Sequence, residues 1–163
     1  MSVIVTYKNN LVKKNSLNLI LFSDENFNIS ALKKYISSAE YSYISDLIKT
    51  RDLKEKILSF DLNSNRKIIL ISLKPGISSS DVENLGAKFY DLFKGFKKNQ
   101  YNLDSNVYTG KIKNFIAHFL HGLKLKSYVF DKYKTKKSKR NINIYVTGNK
   151  IPTNKDQIKF KAI

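Results

Sequence analysis

The most regular pattern of apolar and polar positions lies between Gly110 and Lys137. Ile112, Phe115, Ile116, Phe119, Leu120 and Leu123 recur at helical spacing, making one apolar stripe on a 3.6-residue period. Lys111, Lys113, Asn114, His118, His121 and Lys124 take the other face. The pattern predicts a buried helix opening at Gly110, with Thr109 as its N-cap. Tyr128, Phe130 and Tyr133 then set aromatic mass beside Asp131, an aromatic corner, and the chain turns basic.

Shorter patterns fill the rest. Ser2 to Tyr7 alternates weakly, and Leu17 to Phe22 is a near-continuous apolar run; both predict strands, the second buried on both faces. From Ala31 to Thr50 the spacing predicts one or two short helices, divided at Ser37-Ser38. Lys54 to Leu62 and Arg66 to Leu73 flank Asn63-Ser64-Asn65 and predict a hairpin whose first strand has a wetter face at Ser59 and Asp61. Lys74-Pro75-Gly76 breaks the pattern. Ser80 and Glu83 have capping-box spacing, opening a helix with Val82, Leu85, Phe89, Leu92 and Phe93 on one side and Gly95 at its end. Tyr101 to Tyr108 and Asn141 to Val146 predict two further strands. Strands and helices interleaved around one hairpin define an α/β fold: three layers, with a mixed β-sheet flanked by helices.

Composition narrows the function classes. The chain has 163 residues, the size of one domain, and no Cys, which excludes a disulfide framework, a thiol nucleophile and cysteine-ligated metal. That is compatible with a reducing cytosol, and a cytoplasmic location is expected. No run approaches the ~20 apolar residues of a membrane span, and the first residues lack the pattern of a signal peptide. The formal charge of +17 invites a polyanion partner. Against a dedicated nucleic-acid reader, the charge is nearly all Lys, with Arg at positions 51, 66 and 140 alone. The plainer reading is a compositional bias toward Lys, Asn, Ile and Ser.

No catalytic or cofactor-binding residue is assigned from the sequence, and none for metal. His118 and His121 stand at i, i+3, but their helix supplies no carboxylate to complete an ion site. The loop Lys74 to Ser80 enters a helix and has hydroxyls and free amides that suit phosphate, yet carries one glycine and no phosphate-binding fingerprint. Lys132 to Arg140 is the densest positive run; with Tyr128 and Tyr133 nearby it could follow a nucleic-acid backbone, and it also suits a solvated loop. Asp131 has no partner acid or His in sequence, so it is not assigned as a catalytic acid.

One stretch carries a resemblance. Gly122, Leu125, Tyr128, Phe130, Asp131, Tyr133 and Lys134 match in register a motif of the leucyl (cytosol) aminopeptidases, Glu-Gly-x-x-Leu-x-x-Tyr-x-Phe-Asp-x-Tyr-Lys, with His121 in place of the Glu. The order of hairpin, buried strand, loop and helix upstream is also similar, although the family's Gly-Leu-Gly is here Ser72-Leu73-Lys74. The resemblance implies a macro-domain-like fold for residues 1–150, with 151–163 starting the connection to a C-terminal catalytic domain absent from this chain. That domain would hold two divalent metal ions, zinc or manganese, and the whole enzyme, a hexamer, would remove N-terminal residues from peptides. The implied role of this chain is packing, assembly and regulation. Two other readings stay open: a stand-alone basic nucleic-acid-binding module, tested at Lys134, Lys136, Lys137 and Lys139, and an ADP-ribose-type macro domain.

Overall fold

The computed structural model describes residues 3–7, 17–63, 66–96, 99–132, 141–148 and 155. Among the described residues six strands form one sheet: β1 (Val3–Tyr7), β2 (Asn18–Asp24), β3 (Ile57–Asn63), β4 (Arg66–Leu73), β5 (Gln100–Asp104) and β6 (Ile142–Thr147), in the order β1-β6-β5-β2-β4-β3. β3 runs antiparallel to β4, closing the predicted hairpin, and every other pair is parallel. The sheet is mixed and flanked by helices on an α/β plan, a macro-domain-like fold. β2 lies at the centre between β4 and β5, which is why Asn18 to Ser23 are all buried. An apolar run with no wet face is what a doubly covered parallel strand requires.

Alternation along the strands sends Ile20 and Phe22 to one face and Leu19 and Leu21 to the other. The first face is covered by α2 (Ser79–Phe93) and α3 (Phe115–Lys132). There Phe22 meets Phe115 and Phe119 edge-on at 4.9 and 5.5 Å between centroids, and Phe89 meets Tyr101 at 5.2 Å. Toward the second face lie a 3-10 turn (Ser30–Tyr35) and α1 (Ser38–Thr50), contributing buried Leu32 and Ile44. Ser37 divides these two elements as the N-cap of α1: its hydroxyl accepts the Glu40 amide, and the Glu40 carboxylate accepts the Ser37 amide.

α2 and α3 cross unusually close. A Cβ on Gly122 would lie 1.9 Å from the Glu83 carbonyl oxygen, and one on Gly86 would lie 2.0 Å from that of Phe119. The two helices approach backbone to backbone, and glycine in mid-helix is the condition for it.

Three expectations are corrected. α3 starts at Phe115 rather than after Thr109, because Tyr108 stacks on Phe115 at 3.8 Å and Asn114 turns the chain through φ 60 just before the first helical residue. α3 then continues through Lys132, so Tyr128, Phe130 and Asp131 belong to the helix rather than to a corner after it, and Tyr133 lies outside the described residues. The periodicity hides this because Ser127, a polar residue, continues the buried stripe after Leu123; its hydroxyl is satisfied by the Lys124 carbonyl at 2.6 Å. Last, α2 is capped by Ser78 with Asp81, two residues before the predicted Ser80–Glu83 box. Both pairs have the same spacing; the earlier start leaves Glu83 free to face α3.

Lys124 is partly desolvated on α3, and burial pushes its ammonium pKa below the usual lysine value. The folded state therefore binds that proton less well than the unfolded chain. The resulting penalty is present at neutral pH and is relieved as pH rises from the folded pKa to the unfolded one. Lys124→Gln is expected to raise Tm slightly at pH 7, with the difference shrinking as pH rises toward the ordinary lysine pKa. Thermal denaturation across this pH range checks this; a lower Tm at pH 7 would contradict it.

Candidate functional site

The topology dictates where a crevice opens. From β2 the chain passes through α1 and β3 to β4 on one side, then through α2 to β5 on the other. At such a switch point the loops after the strands diverge and leave a cleft beyond their carboxyl ends. Here that cleft has a volume of about 730 Å³ and is lined by the loop after β2 (Asp24 to Asn28), the loop after β4 (Lys74 to Ile77) and the segment after β5 (Asn106 to Ile112). Its size falls within the range of small-molecule sites. Phe22, Leu32, Leu73 and Val107 line it with apolar surface, and Lys34, Lys74 and Lys111 bring positive charge.

Each loop is held by its own residues. The Asp24 carboxylate accepts the backbone N–H of Asn26 at 3.0 Å and of Asn28 at 2.9 Å. In the loop after β4, Ser78 and Asp81 satisfy one another's backbone amides. The Ser78 amide and hydroxyl hold the Asp81 carboxyl below its usual range, and Lys74 lies 3.5 Å from it. That helix start therefore presents a carboxylate where a phosphate reading needs free amides. In the segment after β5 the Tyr108 hydroxyl accepts the Ile112 N–H at 2.8 Å, and Tyr108 as a whole is 6% exposed. Gly110 wraps over the ring so tightly that a Cβ there would lie 2.4 Å from the Tyr108 hydroxyl oxygen. The segment is folded around its own tyrosine.

Tyr108→Phe deletes the hydroxyl and keeps the ring. It is expected to destabilise by about 1 kcal/mol and to speed hydrogen exchange at the Ile112 amide, with little change elsewhere. Unchanged exchange at Ile112 would show that the hydroxyl does not hold this segment.

The two histidines have a partner that sequence reasoning missed. Glu83 of α2 places Oε1 3.2 Å from His121 Nδ1 and 3.6 Å from His118 Nδ1. The carboxylate comes from the neighbouring helix, 35 residues away along the chain from His118, so no local spacing could reveal it. The three side chains bridge the α2–α3 crossing. Among the described residues, no group of three or more His, Asp or Glu is arranged to hold a metal ion.

A second cavity of about 300 Å³ adjoins the first, sharing Lys34, Tyr35 and Asn106. Arg66 lies on its wall, nearly buried, bonded to the Glu40 carboxylate and, through Nε, to the Leu17 carbonyl at 3.2 Å. The sequence marked Arg66 as one of three arginines without assigning it this role.

Most of the predicted basic surface, Tyr133 to Arg140 including Lys134, Lys136, Lys137 and Lys139, falls outside the described residues; so does the expected connection 151–163, apart from Lys155. Of the 30 Lys and Arg, 17 lie among the described residues, against 12 of the 13 Asp and Glu, so the described body carries only a small part of the excess charge. Among the described residues no helix is long and apolar enough to cross a membrane.

A six-stranded mixed sheet in this order, with helices on its flanks and a cleft beyond the strand ends, defines an α/β domain of macro-like architecture. Known structures share it. A mutant form of tomato leucine aminopeptidase is similar over 98% of this chain, with a TM-score of 0.69 and 15% identity; the match spans 35% of the aminopeptidase chain. The macrodomain of Thermus aquaticus DarG is similar over 90% of this chain and 99% of its own, with a TM-score of 0.55 and 9% identity. No family model and no curated protein sequence matches. This chain thus spans about a third of the length of the aminopeptidase it resembles.

Proposed function

We propose that this chain is the non-catalytic N-terminal domain of a leucine-aminopeptidase-like metallo-exopeptidase. The observation that carries the reading is the match of 98% of this chain to 35% of an aminopeptidase chain, leaving the rest of that protein's length for other work. The close α2–α3 crossing supports it, because Gly122, a position of the aminopeptidase motif, is where the backbones meet. So does the cleft, where the amides of Ser78, Asp81 and Ile112 are taken by side chains of their own loops. In this reading the domain packs on a catalytic domain that holds two divalent ions, zinc or manganese. It helps assemble a hexamer in the cytoplasm, and peptide hydrolysis belongs to the whole protein.

The pure chain is expected to release no leucine from a leucyl substrate with manganese or zinc added. The protein isolated from its source is expected to exceed 18.8 kDa and to carry that activity. Chelator-sensitive turnover by the pure chain, or a native mass of 18.8 kDa without a peptidase partner, would overturn the reading. A ligand-binding macro domain is the second reading, favoured by the size of the cleft. Titration calorimetry with ADP-ribose separates the two: no heat is expected, and micromolar binding would favour the macro reading.

A further inference from the structure

Among the described residues β3 forms one edge of the sheet, where a second chain could add a strand. The register shows which backbone groups face outward. The Ser72 N–H donates to the Lys56 carbonyl at 2.8 Å, so Lys56, Leu58 and Phe60 exchange bonds with β4, while Ile57, Ser59 and Asp61 turn their N–H and C=O groups away. Two of these three outward carbonyls are occupied. Arg51 Nη2 donates to the Ser59 carbonyl at 3.1 Å, and the Tyr43 hydroxyl donates to that of Asp61 at 3.4 Å. The Arg51 guanidinium also lies 5.0 Å from the centroid of the Phe60 ring, which steadies it along the strand. Neither side chain serves the core: Tyr43 is 47% exposed, and Arg51 is exposed just past the end of α1. Beyond them the register shifts between Asp61 and Asn63, an irregularity that bends a strand end away from flat pairing.

We propose that Arg51 and Tyr43 are an edge guard, an internal contact that keeps β3 from pairing with the β3 of a second copy of this chain. The occupant they exclude is set by the strand itself. An antiparallel pair about Ser59 would set Ser59 against Ser59 and Ile57 against Asp61, and it would need the Ser59 and Asp61 carbonyls that the two side chains now hold.

The test is sedimentation velocity over a range of concentrations. The Tyr43→Phe/Arg51→Ala variant is expected to self-associate at least tenfold more tightly than the wild type, with an unchanged far-ultraviolet spectrum. Adding Ser59→Pro is expected to restore wild-type behaviour, because the amide it removes faces outward and the ladder to β4 keeps its bonds. A folded double variant with wild-type association overturns the proposal, and so does association that survives Ser59→Pro. If the double variant does not fold, Tyr43→Phe, which loses only the hydroxyl, supplies the same readout with an expected change of about threefold.

Discussion

Gly122→Ala is expected to destabilise the protein by about 3 kcal/mol or more, at the upper end of the cost of overpacking. Mid-helix, alanine is the better residue by about 1 kcal/mol, so propensity alone predicts the opposite sign. Sterics decide. The new methyl would fall 1.9 Å from the Glu83 carbonyl oxygen and 2.6 Å from its carbonyl carbon, both backbone atoms that no rotamer change can move aside. The helices would have to separate, loosening the ring contacts of Phe119 with Phe22 and Phe89 at 5.5 and 5.9 Å. Gly86→Ala meets the Phe119 carbonyl at 2.0 Å and is expected to behave alike. Urea denaturation of both variants measures the effect, and a stability equal to wild type would show that the crossing yields cheaply. Under the proposed function, Gly122→Ala also weakens the whole enzyme by losing folded domain, with the kinetics of surviving molecules unchanged.

Arg66→Met is expected to cost about 3–5 kcal/mol, the range for removing one partner of a buried ion pair. The loss reaches two elements. Arg66 ties β4 to the Leu17 carbonyl at the entrance to β2 and to the Glu40 carboxylate on α1, and the two charged side chains are 9% and 18% exposed. Methionine fills the volume but leaves that carboxylate without its counter-charge. Arg66→Met combined with Glu40→Gln is expected to recover more than half the loss, since glutamine is neutral and keeps an oxygen for the Ser37 amide. The four proteins of this cycle, unfolded in urea, give the coupling directly; a coupling below about 0.5 kcal/mol would mean that Arg66 acts through its packing alone.

The order of elements and the layer architecture were legible in the chain because they rest on local chemistry. Apolar runs of strand length at Leu17 to Phe22 and Lys67 to Leu73, a turn at Asn63-Ser64-Asn65 and the split at Ser37-Ser38 each depend on residues within one or two turns of each other. Burial of β2 on both faces follows from its lack of any polar alternation. Helix boundaries were less legible. Ser78–Asp81 and Ser80–Glu83 are equivalent by spacing, and a polar Ser127 on the buried stripe made α3 look shorter than it is.

The candidate site was scarcely legible. Its loops lie after three strands that are adjacent in the sheet but separated in sequence, and a one-dimensional pattern carries no information about which strand lies beside which. The same holds for Glu83 between His118 and His121, for Arg66 on Glu40, and for the α1 side chains along the β3 edge. By itself the sequence determined the fold class, the hairpin, the covered central strand and the absence of cysteine chemistry, since propensity, periodicity and composition act locally. Tertiary structure decided the strand order, the cleft, the capping that closes its loops and the need for glycine at 86 and 122, because each depends on groups brought together only when the sheet and its helices pack.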